Sequence, residues 1–203
     1  ITDHGVVQAF PDANHYIESL DKDDPFKIIY GVEAYLVDDL TEIAQGAKDQ
    51  TLQDTYVVFD LETTGFSPIQ DKIIEIGAVK VEQGRITERF STFVNPKIPI
   101  PFKITDLTGI TDDMVMDAEP VEEVLPKFLD FVGDAVLVAH NAGFDVSFIE
   151  QNCRYQEIEK EFISVDTVAL ARVLLPTLSK YKLNVVAKAL NISLENHHRA
   201  VDD

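Results

Sequence analysis

The stretch Tyr56-Val57-Val58-Phe59-Asp60-Leu61-Glu62-Thr63-Thr64-Gly65 decides the fold. Its opening run of β-branched and aromatic residues reads as a buried strand. Side chains alternate faces along a strand, so Asp60 and Glu62 point the same way, at its carboxyl end. Ligands of open α/β sheets sit at that end. Two acids closing an apolar strand are costly unless something cationic neutralises them. Gly65 then frees the backbone to turn away sharply. From these ten residues alone, Lys or Arg partners in an ordinary strand-end loop and a metal ion are comparable readings.

Working outward, Ile73 to Val81 reads as a second strand, and Glu82-Gln83-Gly84-Arg85 as a tight turn into a third, Ile86 to Val94. Pro96 to Phe102, with its three prolines, reads as extended loop. Thr111-Asp112-Asp113 has the composition of a helix start. Val121, Val124, Leu125, Phe128 and Val132 recur at helical spacing, which predicts an amphipathic helix over 120–132. Ala135 to Ala139 is a short apolar run, hence a buried strand. A helix over about 143–155, a strand near 162–165 and helices over 167–175 and 182–190 complete the pattern. Three antiparallel strands followed by alternating helices and strands imply an α/β fold, a mixed sheet flanked by helices.

Upstream, Ile28 to Val37 reads as a strand with a glycine break, in a segment too poor in apolar residues to fold unaided. The polar stretch from Thr41 to Asp54, with Gly46, reads as a linker. The domain expectation is therefore an N-terminal fragment over 1–45, a linker over 46–53 and one α/β domain over 54–203.

The 203 residues hold one full domain and part of another, and 45% apolar content suffices for a packed core and argues against disorder. Lys plus Arg number 17 against 36 Asp plus Glu, a formal charge of −19. Such a surface repels phosphate and argues against tight non-specific DNA binding by this segment alone. Any phosphodiester chemistry must import its positive charge as metal ions. The single cysteine, Cys153, excludes an internal disulfide, fits a reducing cytosol and reads as a small buried hydrophobe. No apolar run reaches membrane-spanning length and no signal peptide is visible. Because the chain opens at Ile1-Thr2-Asp3-His4-Gly5 and stops at Asp202-Asp203 just after a helix-like start, it is expected to be a segment of a larger protein.

Two further clusters carry polar chemistry. His140-Asn141-Ala142-Gly143-Phe144-Asp145-Val146-Ser147-Phe148 begins at a strand's carboxyl end and opens a helix. Asp145 there is either a first-turn helix charge or a site residue, flanked by Phe144 and Phe148 at i, i+4 spacing. His197-His198-Arg199-Ala200-Val201-Asp202-Asp203 contains histidines that fit a metal ligand, a proton carrier or a plain surface pair.

Together and in this order, the clusters resemble the DnaQ-like family of 3′–5′ exonucleases, DEDDh-type enzymes of ribonuclease-H-like fold, over residues 54 to 203. Asp60 and Glu62 fall on the family's first motif, and Asp145 on the second. Two alignments compete for the third, His197 with Asp202 or His198 with Asp203; the family pattern His-x-Ala-x-x-Asp is met by His198, Ala200 and Asp203. Leu107 to Thr111 is similar to the family segment that packs on the terminal nucleotide. The resemblance implies two divalent ions, Mg2+ or Mn2+, held by Asp60, Glu62, Asp145 and Asp203, with Asp60 bridging both and Glu62 helping to orient the attacking water. It implies His198 as the proton acceptor and Leu61 and Thr63 along the 3′-terminal nucleotide. Four converging carboxylates would not all ionise without such cations, and an imidazole titrates near neutral pH, so the physics is consistent with these roles.

The N-terminal Asp3-His4-Gly5 and Gly31-Val32-Glu33 are similar to motifs of PHP phosphoesterase-like domains, with His4 and Glu33 on family metal-ligand positions. A PHP domain interrupted by a DnaQ-like exonuclease is the arrangement of PolC-type DNA polymerase III alpha chains. The implied function is proofreading at a single-stranded or frayed DNA primer 3′ end, in the cytoplasm, as part of a polymerase chain that engages a sliding clamp and no membrane. With most PHP ligands missing, no PHP activity is expected. Two rival expectations are a stand-alone exoribonuclease or oligonuclease and a catalytically silent docking module of the same fold.

Overall fold

The computed structural model describes residues 1–2, 7–33, 42–46, 49–193 and 200. The chain forms two compact units, Ile1–Thr41 and Glu42–Asp203. In the first, helix α1 (Phe10–Glu18) starts with Pro11 in its first turn, where a missing N–H costs nothing. Residues 28–33, expected to open a strand, have no regular strand structure. Ile29 and Gly31 instead exchange isolated main-chain hydrogen bonds with Ile1, at 2.6 and 3.0 Å. The remainder of that expected strand lies outside the described residues, as does His4.

The second unit is built on six strands: β1 (Ala44–Gln45), β2 (Tyr56–Thr63), β3 (Ile73–Glu82), β4 (Arg85–Phe93), β5 (Val136–Ala139) and β6 (Ser164–Asp166). They lie in the order β1-β6-β5-β2-β3-β4. β2, β3 and β4 are antiparallel neighbours, whereas β5 runs parallel to both β2 and β6. This is the mixed sheet expected from the order of elements. Gln83 and Gly84 both take positive φ (50° and 72°), which gives the β3–β4 hairpin the turn whose twist suits its strands.

The helices of this unit are α2 (Phe102–Thr108), α3 (Asp112–Val115), α4 (Val121–Val132), α5 (Ala142–Tyr155), α6 (Thr167–Leu174) and α7 (Leu183–Ala189). Helix α2 and strand β1 have no counterpart in the sequence reading. The β-branched residues of α2 hide its period, and two residues of β1 carry none.

One main core unites the layers. Val57, Phe59 and Leu61 of β2 pack with Val124, Leu125 and Phe128 of α4 and with Val146, Phe148 and Ile149 of α5. Phe128 is fully buried, its ring centroid 5.7 Å from that of Phe59 and 5.6 Å from that of Phe90. None of the described helices is long and apolar enough to cross a membrane.

Candidate active site

The acid pair follows from the pleat of β2. Val57, Phe59, Leu61 and Thr63 are buried on one face, and Asp60 and Glu62 stand half-buried on the other. Across the ladder, Asp60 faces Gly77, which puts no side chain beside it, and Glu62 faces Glu75. The register slips between Glu62 and Thr63, where the end of β2 leaves the regular ladder.

Asp145 reaches this end from α5. The helix starts at Asn141, which holds a left-handed conformation (φ 73°), a geometry that Asn tolerates better than most residues. The Asn141 N–H donates to Asp166 Oδ1 at 2.9 Å, and the same oxygen accepts the Val168 N–H at 2.9 Å. One carboxylate thus caps α6 and fixes the start of α5. The first turn of α5 then lays Asp145, 2% exposed, against β2, where its Oδ1 accepts the Leu61 N–H at 3.1 Å. Leu61 sits between Asp60 and Glu62, so the second motif is tied to the first across 84 positions of sequence.

Burial pushes the Asp145 carboxyl well above the ordinary range, and the charge of Asp60 pushes it further. The Leu61 hydrogen bond opposes the rise, and Glu62 adds a smaller push. The site is therefore short of positive charge at its most buried acid. Among the described residues no three His, Cys, Asp or Glu side chains close into a metal-holding group. The donor chemistry nonetheless suits a hard divalent cation, since the charges of Asp60 and Glu62 act on a desolvated acid that a cation would stabilise.

Leu61 and Thr63 are placed differently from the acids. Both side chains are buried, Leu61 in the main core, and Thr63 Oγ1 donates to the Gly65 carbonyl at 2.6 Å. His198 and Asp203 lie outside the described residues; Ala200, between them, is described. Its methyl is buried and its N–H donates to Glu75 Oε2 at 3.3 Å. Asp60, His140, Thr167 and Ala200 are among the residues lining a cleft of about 280 Å³.

Three polar residues that the sequence reading did not single out support the site. Glu75 looked like one polar residue in an apolar strand, and Asp166 carried only the weak signal of an Asp before a helix start. His140 was quoted only as part of its peptide. Its Nε2 lies 2.9 Å from the Tyr181 carbonyl and its Nδ1 2.9 Å from Thr167 Oγ1. A carbonyl only accepts, so Nε2 carries the proton.

This mixed sheet, with acids gathered at the carboxyl end of β2, defines the ribonuclease-H-like exonuclease class. The RNase_T model, described as "Exonuclease", matches residues 57–203, and the chain belongs to that family. Over its whole length it is 58% identical to DNA polymerase III PolC-type of Clostridium perfringens (strain 13 / Type A) and 48% identical to that of Bacillus subtilis (strain 168). The chain spans about 14% of the length of these relatives. Among solved structures it is similar to Exonuclease X in complex with 5′ overhanging duplex DNA, at 30% identity and a TM-score of 0.59, over 72% of this chain and 82% of that one. Escherichia coli Exonuclease I bound to a dT13 oligonucleotide shares the fold, with a TM-score of 0.67 at 17% identity, over 74% of this chain and 39% of that one.

Proposed function

We propose that this chain is a metal-dependent 3′–5′ exonuclease that removes mispaired nucleotides from a DNA primer end. One observation carries the reading: Asp145, buried in an exonuclease-family chain, is hydrogen-bonded to the backbone between Asp60 and Glu62. Water adds to the phosphorus of the last phosphodiester and the bond to the penultimate 3′ oxygen breaks. A nucleoside 5′-monophosphate and a shortened 3′-hydroxyl end result. His198 takes the proton of the attacking water, as its family position suits and as an imidazole is the side chain whose ordinary pKa lies near neutrality. Asp60, Glu62, Asp145 and Asp203 would hold two divalent ions, Mg2+ or Mn2+. When bound, the pair supplies charge neutralisation for the carboxylates and for the phosphate. Asp145 and Glu62 keep the strand end polar. Leu61 and Thr63 contact the terminal nucleotide through their main chain, because their side chains are turned inward.

The wider setting belongs to the same proposal. Residues 54–203 carry the exonuclease domain, to whose sheet Ala44 and Gln45 also contribute a strand, so the boundary expected after residue 45 moves to Thr41. Residues 1–41 are a PHP-domain fragment that carries His4 and Glu33 and has no activity of its own. Similarity along the whole chain to PolC-type polymerases supports a place within a cytoplasmic replicative polymerase that works with a sliding clamp. The test is timed digestion of a 5′-labelled, mismatched primer–template with and without Mg2+. Stepwise shortening that requires Mg2+ is expected, and Asp60→Ala with Glu62→Ala abolishes it. Activity persisting in that double variant would refute the site. Faster loss of a matched RNA strand would favour an exoribonuclease instead.

A further inference from the structure

Glu75 is a carboxylate that the proposed hydrolysis leaves unused. It is 2% exposed, near the start of β3, and it faces Glu62 across the β2–β3 ladder. Two acids directly opposite one another weaken a strand pair, so an apolar residue at 75 would suit the sheet better. What Glu75 does there is visible at its Oε2, which accepts the Ala200 N–H across 125 positions of sequence. Ala200 in turn buries its methyl in the wall of the cleft that Asp60 also lines.

We infer that Glu75 is a positioning residue: its carboxylate holds the main chain at Ala200 against β3, in the wall of the cleft that Asp60 lines, and the proposed hydrolysis depends on that hold. The inference rests on the proposed nuclease site. A cleft wall held in one place keeps the reacting groups oriented, and orientation of that kind is worth large factors in rate. Ala200 suits the pinned position because a methyl fits a wall that a longer side chain would fill.

Two variants of the 203-residue chain separate anchoring from plain packing. Glu75→Gln keeps an oxygen that can accept the Ala200 N–H, whereas Glu75→Leu keeps the volume without an acceptor. With Mg2+ and a 5′-labelled oligothymidylate, E75L is expected to lose about 10-fold or more in kcat with KM within about 2-fold, and E75Q to stay within about 3-fold of the parent. Amide exchange followed by NMR supplies a readout independent of activity. In E75L the Ala200 amide exchanges about 10-fold faster or more, while the amides of β2 keep their protection. The inference is overturned if Ala200 exchange is unchanged, if β2 and Ala200 lose protection together, or if E75Q fails as badly as E75L. Should the Asp60→Ala, Glu62→Ala variant remain active, the nuclease reading fails, and Ala200 exchange still reports on the anchor.

Discussion

At the scale of single residues, Asp145 combines a structural liability with the proposed chemistry. The ordinary Asp pKa is 3.8, and burial with Asp60 nearby lifts the folded value well above it. Between those two values the folded chain keeps a proton that the unfolded chain has released, so stability falls as pH rises through that window. Below it both states carry a neutral acid and the penalty vanishes. Asp145→Asn keeps an oxygen for the Leu61 N–H and has no charge to desolvate. In EDTA its melting temperature should exceed that of the parent at neutral pH and converge with it near pH ~3. On the proposed site, saturating Mn2+ should reverse the order, because an ion at about 100 times its Kd would stabilise the parent by ~2.7 kcal/mol and would lose a ligand in the variant. Melts in which Asp145→Asn is the less stable protein in EDTA would count against the assignment. The sequence placed Asp145 at a helix start, and three-dimensional structure was needed to see its carboxylate meet the Leu61 backbone. A hydrogen bond between residues 61 and 145 leaves no mark in either local pattern.

At the scale of elements, the β2–β3 connection shows why Gly65 ends the acid strand. A Cβ at Gly65 would lie 2.5 Å from the carboxylate of Asp71. That carboxylate cannot simply swing away, since it accepts the Ser67 N–H at 2.9 Å, and Thr64 closes the loop through Lys72 at 2.8 and 2.9 Å. Gly65→Ala should cost ~1–3 kcal/mol, as overpacking does, with about 2–4 °C in melting temperature for each kcal/mol. Exonuclease rate should fall as well, because Glu62 lies directly upstream. Adding Asp71→Ala should restore part of the loss, and a double variant no better than the single one would remove this account of the turn. Elements with long periodic faces were legible beforehand, α4 by its spacing and β5 by its apolar run. Helix α1, helix α2 and strand β1 were not, because a short element fixed by distant partners needs no pattern of its own.

At the scale of the whole molecule, the antiparallel start and βα continuation were legible from the order of elements, while the strand order was not, since pairing across the sheet is set by packing. Charge was legible at once, and it bears on how this chain meets a nucleic acid. A nuclease that relies on many Lys and Arg contacts to phosphates loses affinity steeply as salt displaces it, by about 10³–10⁵ between 50 and 200 mM for 6–10 contacts. Here the net charge is −19, so long-range electrostatics oppose approach and attraction is left to short-range contacts and divalent ions. Added salt shortens the Debye length from about 30 Å at 0.01 M to about 8 Å at 0.15 M and screens that repulsion. With Mg2+ held saturating, KM for a single-stranded oligonucleotide should therefore stay flat or decrease as NaCl rises across that range, opposite in sign to a basic nuclease. Steady-state digestion at several NaCl concentrations measures this. A steep increase in KM would mean that a basic track on this chain, rather than metal ions and short-range contacts, holds the strand.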